Sequence, residues 1–201
     1  YQDDKMFKFL HIPVEAGNNE VLGKMHRKYN VFQFKEIVEK FRRYVKDITI
    51  ATDIIVGFPS ETEAQFHDTL ELVQEVKPDV LNIARFSPRP HTAAAKMKDQ
   101  IPGDKKKDRS GILTEIYLRT ALKNNQKWIG WKGKIIIDEI GKNETFVGRN
   151  FAYKPVIIKG DYSLGDEIEV TVNDATYYDL RAAQNQDNSN DELIQISTSL
   201  T

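Results

Sequence analysis

Two kinds of hydrophobic spacing alternate along the first half of the chain. Phe7–Val14, Ile48–Val56 and Val80–Ser87 read as strands, and Ile48–Val56 is a nearly continuous apolar run of the kind that suits a parallel sheet covered on both faces. Between them the spacing is helical. Asn18 can cap a short helix that carries Val21, Leu22 and Met25 on one side. In Val31–Val45, the residues Phe34, Ile37, Val38, Phe41 and Val45 form one stripe. Ser60-Glu61-Thr62-Glu63 has the capping-box pattern and predicts a helix start there, with Phe66, Leu70, Val73 and Val76 inward and Pro78 as its stop. The order strand–helix–strand–helix–strand with short connections predicts right-handed βαβ units. Three parallel strands cannot close a barrel and would leave open edges. The expectation is therefore a partial (β/α) barrel whose other strands lie in a preceding N-terminal half, or a homodimer that covers the open sheet.

Beyond Pro102 the period changes. Asp104–Gln126 predicts one connecting helix with Ile112, Leu113, Ile116 and Leu122 inward. Lys134–Ile140, Thr145–Arg149, Pro155–Lys159, Glu167–Val172 and Tyr177–Arg181 then read as five short strands separated by Gly, Asn and Asp turns, the signature of a small all-β, OB-like barrel. The chain thus divides into residues 1–100 (part of an α/β barrel), 101–127 (a connecting helix), 128–183 (a β-barrel) and 184–201, a polar tail expected to be disordered.

Composition adds three constraints. The sequence has no cysteine, so no thiolate site can form within it, which suits a cytoplasmic protein. It has no apolar run long enough to cross a membrane. Its net charge is only −1, but charge is unevenly placed. Between Lys96 and Lys134 eleven basic residues face four acids (Asp99, Asp104, Asp108 and Glu115), an excess able to neutralise phosphates or simply to solvate a helix face. The barrel segment Trp128–Arg181 carries nine acids and seven bases, so it is not basic overall and any cationic face on it must be a local patch.

Candidate chemistry lies where predicted strands end, because ligand sites of parallel α/β barrels gather at the C-terminal ends of strands. Three segments qualify: Leu10–Asn18, Thr52–Thr62 and Arg85–Thr92. Glu15 or Asp53 could accept hydrogen bonds from a ribose or an amino group. Gly57 would let the backbone approach a ligand closely. The bland alternatives are a tight turn at Gly57-Phe58-Pro59 and a structural carboxylate at Asp53. The four histidines show no metal-ligand spacing; His67 reads as a helix-surface residue and His11 as a polar residue of the rim.

Leu10-His11-Ile12-Pro13-Val14-Glu15-Ala16-Gly17-Asn18, then Thr52-Asp53-Ile54-Ile55-Val56-Gly57-Phe58-Pro59-Ser60-Glu61-Thr62, then Ser87-Pro88-Arg89-Pro90-His91-Thr92 together resemble the methylthiotransferase family of radical S-adenosylmethionine enzymes. Met25–Tyr29 fits as well. Gly148-Arg149-Asn150, Tyr153-Lys154-Pro155-Val156 and Leu164-Gly165-Asp166 resemble the TRAM domain that closes these enzymes, so the likeness spans about residues 6–182. The family pattern has Gln-Ser where Glu15-Ala16 stands, and Gly at the positions of Ser60 and His91.

The resemblance implies S-adenosylmethionine bound beside a [4Fe-4S] cluster, with a second cluster in a preceding domain. It implies tRNA as partner and transfer of a methylthio group to an adenosine beside the anticodon, with N6-threonylcarbamoyladenosine favoured. It places Glu15, Thr52, Asp53, Gly57, Ser87 and Arg89 at the cofactor, with Arg85 added by position. It places Lys132, Lys134, Arg149, Tyr153 and Lys154 at RNA. It assigns no catalytic residue and no metal ligand to this chain, since the cluster cysteines are absent, and the chain alone is expected to be inactive. Two other readings compete: a stand-alone RNA-binding scaffold, and a methylthiotransferase acting on a ribosomal protein side chain.

Overall fold

A computed structural model describes residues 1, 3 and 5–185. Its first part is a three-stranded parallel sheet in the order β1-β2-β3, formed by Phe9–His11, Thr49–Val56 and Val80–Arg85. Helices α1 (Asn19–Lys24), α2 (Val31–Tyr44) and α3 (Glu63–Val76) connect the strands. A short α4 (Ala93–Lys96), absent from the sequence expectation, precedes the long α5 (Gly103–Gln126).

One face of the sheet makes the core. Ile50, Ile54, Val56 and Leu81 pack against Phe34 and Val38 of α2, Phe66, Leu70 and Val73 of α3, and Leu113 of α5. Phe66 is 1% exposed, and burying such a side chain contributes roughly 1.5–3 kcal/mol. The opposite face carries Asp53, Ile55, Asn82 and Ala84, half-buried or exposed. The expected covering of both faces is therefore not found: the helices lie on one side.

Local rules explain the differences from the sequence expectation. The first strand is three residues long, not eight, because Pro13 has no N–H for a ladder and the Val14 N–H turns to the Thr52 hydroxyl at 3.1 Å. Pairing resumes only as an isolated bridge between Glu15 and Ile54. The α3 capping box is built on Thr62 and Gln65, two residues later than expected, because Ser60 sits at φ 65° and Glu61 is drawn inside. On α5, Ile112 is 47% exposed; the inward face runs through Arg109, Leu113, Ala121 and Asn125.

The second part is a closed barrel in the order β4-β5-β6-β8-β7, made of Lys132–Ile140, Thr145–Arg149, Pro155–Lys159, Leu180–Gln184 and Glu167–Ala175. Only β6 and β8 run parallel. Ile135, Ile137, Val156, Ile158, Val170, Val172 and Leu180 fill its interior. The last strand starts three residues later than expected, since the Thr176 hydroxyl accepts from the N–H groups of Tyr178 and Asp179 and makes a turn of that stretch. Gln184, assigned from sequence to the tail, ends β8, and the Asn185 N–H donates to the Glu169 carbonyl at 3.1 Å; residues 186–201 of that tail lie outside the described residues.

The barrel is fastened beneath the N-terminal ends of the strands. The Lys8 N–H donates to the Phe151 carbonyl at 2.8 Å. Tyr153 packs edge-on against Phe7 and Phe9. The Lys154 ammonium lies 2.9 Å from Asp79 and 3.1 Å from the Asn125 carbonyl oxygen.

Candidate functional site

At the other end of the sheet the three strand tips are neighbours. The Glu15 N–H donates to the Asp53 carbonyl, the Ile55 N–H to the Glu15 carbonyl, and the Phe86 N–H to the Val56 carbonyl, at 2.8–2.9 Å. Glu15 adopts φ 68°, and its carboxylate meets the Arg27 guanidinium. The Tyr29 hydroxyl donates to the Val14 carbonyl at 3.3 Å; burial raises its pKa, the Glu15 charge adds to the rise, and Arg27 opposes it. A cleft of about 470 Å3 opens beside these tips. Glu15 and Arg27 give it polarity, while Met25, Ile55, Phe58 and Phe86 give it an apolar wall. Such a mixture suits a flat heterocycle joined to a polar sugar.

The Gly57–Glu61 loop that follows β2 is held from below by α5. Glu61 and Arg109 have side chains only 1% and 2% exposed, and Arg109 Nη1 lies 2.6 Å from Glu61 Oε2. The same carboxylate oxygen accepts the Gly57 N–H at 2.7 Å. Burial pushes the Glu61 pKa up, while the Gly57 N–H and Arg109 pull it back. One turn earlier, Lys106 lays its stem across Gly57 and donates to the Phe86 carbonyl at 3.0 Å. A Cβ on Gly57 would come within 2.2 Å of Lys106 Cγ, and φ there is +73°. The freedom of glycine is thus used against a lysine of this chain. The pair Glu61–Arg109 was missed from sequence. Its signal was there: Arg109 falls four residues before Leu113, on the apolar face of the helix.

Of the residues assigned to the cofactor by resemblance, only Glu15 lines the cleft. Asp53 lies on the uncovered face, bonded to His11 Nε2 at 2.9 Å and to Asn82 at 2.7 Å, so that one polar row crosses all three strands. Thr52 is 2% exposed; its hydroxyl donates to the Ile12 carbonyl and accepts from Val14, a structural task. Ser87 and Arg89 are exposed beyond β3, as is Arg85 at its end. Among the described residues no group of three His, Asp or Glu could hold a metal ion, and no helix is long and apolar enough to cross a membrane.

The residues assigned to RNA are dispersed. Lys132 and Lys134 are exposed on β4, but their partners across the ladder on β7 are Thr171 and Glu169, and Lys134 reaches Glu167 at 3.8 Å. Arg149 pairs with Asp138 at 2.9 Å and stacks on Tyr153. Lys154 is 4% exposed and sits in the seam with Asp79, which takes it away from any surface. The basic run before the barrel is likewise partly engaged, with Lys105 and Arg109 bound to Glu63.

Residues 4–73 match the radical SAM superfamily, and residues 128–183 match the TRAM domain. The first segment of the chain is thus similar to radical SAM proteins and the barrel segment to TRAM domains. It is 41% identical over 177 residues to a probable threonylcarbamoyladenosine tRNA methylthiotransferase of Archaeoglobus fulgidus, covering 88% of this chain and 41% of that protein. It is 45% identical over 166 residues to the protein of that name from Pyrococcus horikoshii (81% and 39%), and 43% over 181 residues to that from Methanocaldococcus jannaschii (90% and 41%). The chain spans about two fifths of the length of these curated relatives. A solved structure, coproporphyrinogen III oxidase from Escherichia coli, covers 83% of this chain and 41% of its own at TM-score 0.48 and 18% identity, too slight a likeness to bear on function.

Proposed function

We propose that this chain is the C-terminal part of a tRNA methylthiotransferase: the last strands of a (β/α) barrel, with an OB-like RNA-binding module behind them. The observation that carries the reading is the cleft at the joined tips of β1, β2 and β3, in a chain whose relatives bear that name along its length. The one-sided sheet supports it, because its uncovered polar row of His11, Asp53 and Asn82 has the character of a barrel lumen.

The residues present fit S-adenosylmethionine. Ile55, Phe58 and Phe86 would flank the adenine, and Glu15 would accept from a ribose hydroxyl or an amino group. When bound, the cofactor supplies one-electron chemistry at its sulfonium, with the electron drawn from a cluster held by thiolates. This chain has no cysteine, so on this reading the thiolates would have to be supplied from outside it. What this chain contributes is binding and shape. Arg27 fixes the Glu15 carboxylate, and Glu61, Lys106 and Arg109 hold the Gly57 loop and the Phe86 carbonyl in place. Ser87 and Arg89, exposed past the tip of β3, would reach the cofactor or the substrate from that side. The substrate favoured is a tRNA bearing N6-threonylcarbamoyladenosine.

The test is nucleoside mass spectrometry. The chain, joined to its cluster-bearing half and given reductant and S-adenosylmethionine, should add one methylthio group to that nucleoside in tRNA. Modification of a ribosomal protein, with tRNA untouched, would replace this reading with the protein-directed one.

A further inference from the structure

The seam between the sheet and the barrel encloses a second cleft, of about 420 Å3, at the N-terminal edge of the strands. Its walls combine two features. Trp128 and Trp131, half-buried and edge-to-face at 5.8 Å, line it from the start of the barrel. Cations surround them: Arg42 at the end of α2, Lys77 after α3, and Lys127 at the end of α5. The acids here are Asp47 and Asp79, and Asp79 is already matched by Lys154 at 2.9 Å and by the Ile50 N–H at 3.0 Å. Three cations thus face one unmatched acid. Lys77 and Lys127 are exposed, and Arg42 hydrogen-bonds only to the backbone carbonyls of Val76 and Lys77.

We infer that this seam cleft holds a nucleotide of the RNA substrate, its base against the tryptophan pair and its phosphate among Arg42, Lys77 and Lys127. Aromatic platforms beside cations are the chemistry of single-stranded RNA recognition. The barrel wall offers less, because Glu167 and Glu169 face Lys134 and Asp138 holds Arg149. The two clefts lie at opposite ends of β2, whose eight residues span roughly 25 Å, so a substrate that reaches both the strand tips and this seam must be long, as a folded RNA is. The inference rests on the tRNA reading above.

Trp128 and Trp131 are the only tryptophans of the chain, so their fluorescence reports this cleft alone. A fluorescein-labelled anticodon stem-loop titrated into the chain should raise anisotropy and quench tryptophan emission along the same curve. The double variant Lys77→Gln/Lys127→Gln should keep its melting temperature, bind about tenfold more weakly, and lose about 0.7 of salt slope per charge removed. A rise in anisotropy with unchanged tryptophan emission, or a double variant with the parent's affinity and slope, overturns the cleft assignment and leaves the tRNA reading standing. No binding even at low salt overturns both.

Discussion

Arg109 shows how much one side chain decides. It is a fully buried cation on the apolar stripe of α5, bound to Glu61 at 2.6 Å and Glu63 at 2.9 Å and stacked over Phe66. Removing one partner of a buried pair leaves the other charge uncompensated. Arg109→Met should therefore destabilise the chain by roughly 3–5 kcal/mol in urea unfolding. A loss under about 1 kcal/mol, the scale of a surface pair, would show that the Gly57 loop is held by something else. Glu61 gives a pH test. Its folded pKa is raised, so between the unfolded and folded values the folded form carries more of the proton. Its contribution is fully present below the unfolded value and declines as pH rises through the raised one. Glu61→Gln should abolish that decline, seen by comparing urea midpoints of the two proteins from about pH 4 to about pH 7. Equal pH slopes for both would contradict the raised value. The sequence made Arg109 visible only as charge in a basic run; its burial depended on helix phase, which places it with Leu113 and sets Ile112 outside.

At the scale of elements, the sequence was most informative where the periodicity was strong. The β2 run, the α2 and α3 stripes and the β5 and β6 limits were legible because each is a local pattern. The short β1, the later α3 box and the shifted β8 were not, because a hydroxyl or carboxylate took over a backbone group: Thr52 from the next strand, Glu61 and Thr176 within their own turns. The same limit applied to Lys154. Its motif suggested an RNA contact, and only the fold brings it to Asp79. Lys154→Met should cost about 3 kcal/mol, since the half-buried Asp79 carboxylate would lose its ion-pair partner and keep the Ile50 N–H and the more distant Arg42 charge. Lys132→Ala, on the exposed barrel wall, should stay within about 0.5 kcal/mol. Equal effects in chemical unfolding would show that Lys154 is not the tie between the modules.

Across the whole molecule α5 joins the two ends. Its 24 residues span roughly 36 Å, with Lys106 and Arg109 under the Gly57–Glu61 loop and Asn124 and Asn125 at the seam. Asn125 donates to the Thr176 carbonyl of the barrel at 2.9 Å, and its own carbonyl receives Lys154. A rod held at both ends fixes the spacing between the two clefts. The sequence indicated the two modules and the helix between them, but not which edge of the sheet the barrel would occupy, since that is set by contacts far apart in the chain. The uncovered polar face of the sheet is the other feature of this scale, and under the proposed function further strands of a barrel would cover it.

The central claim is that the tips of β1, β2 and β3 bind the adenosyl group, and equilibrium binding of S-adenosylmethionine tests it most directly. With the chain joined to the cluster-bearing half that the proposed function requires, the parent should bind saturably. Ile55→Arg, which fills the cleft, should weaken binding at least about tenfold, the effect of losing about 1.4 kcal/mol. Lys132→Ala/Lys134→Ala should bind as the parent does. If Ile55→Arg binds S-adenosylmethionine with the parent's affinity, the adenosyl group sits elsewhere and the account of this site is wrong.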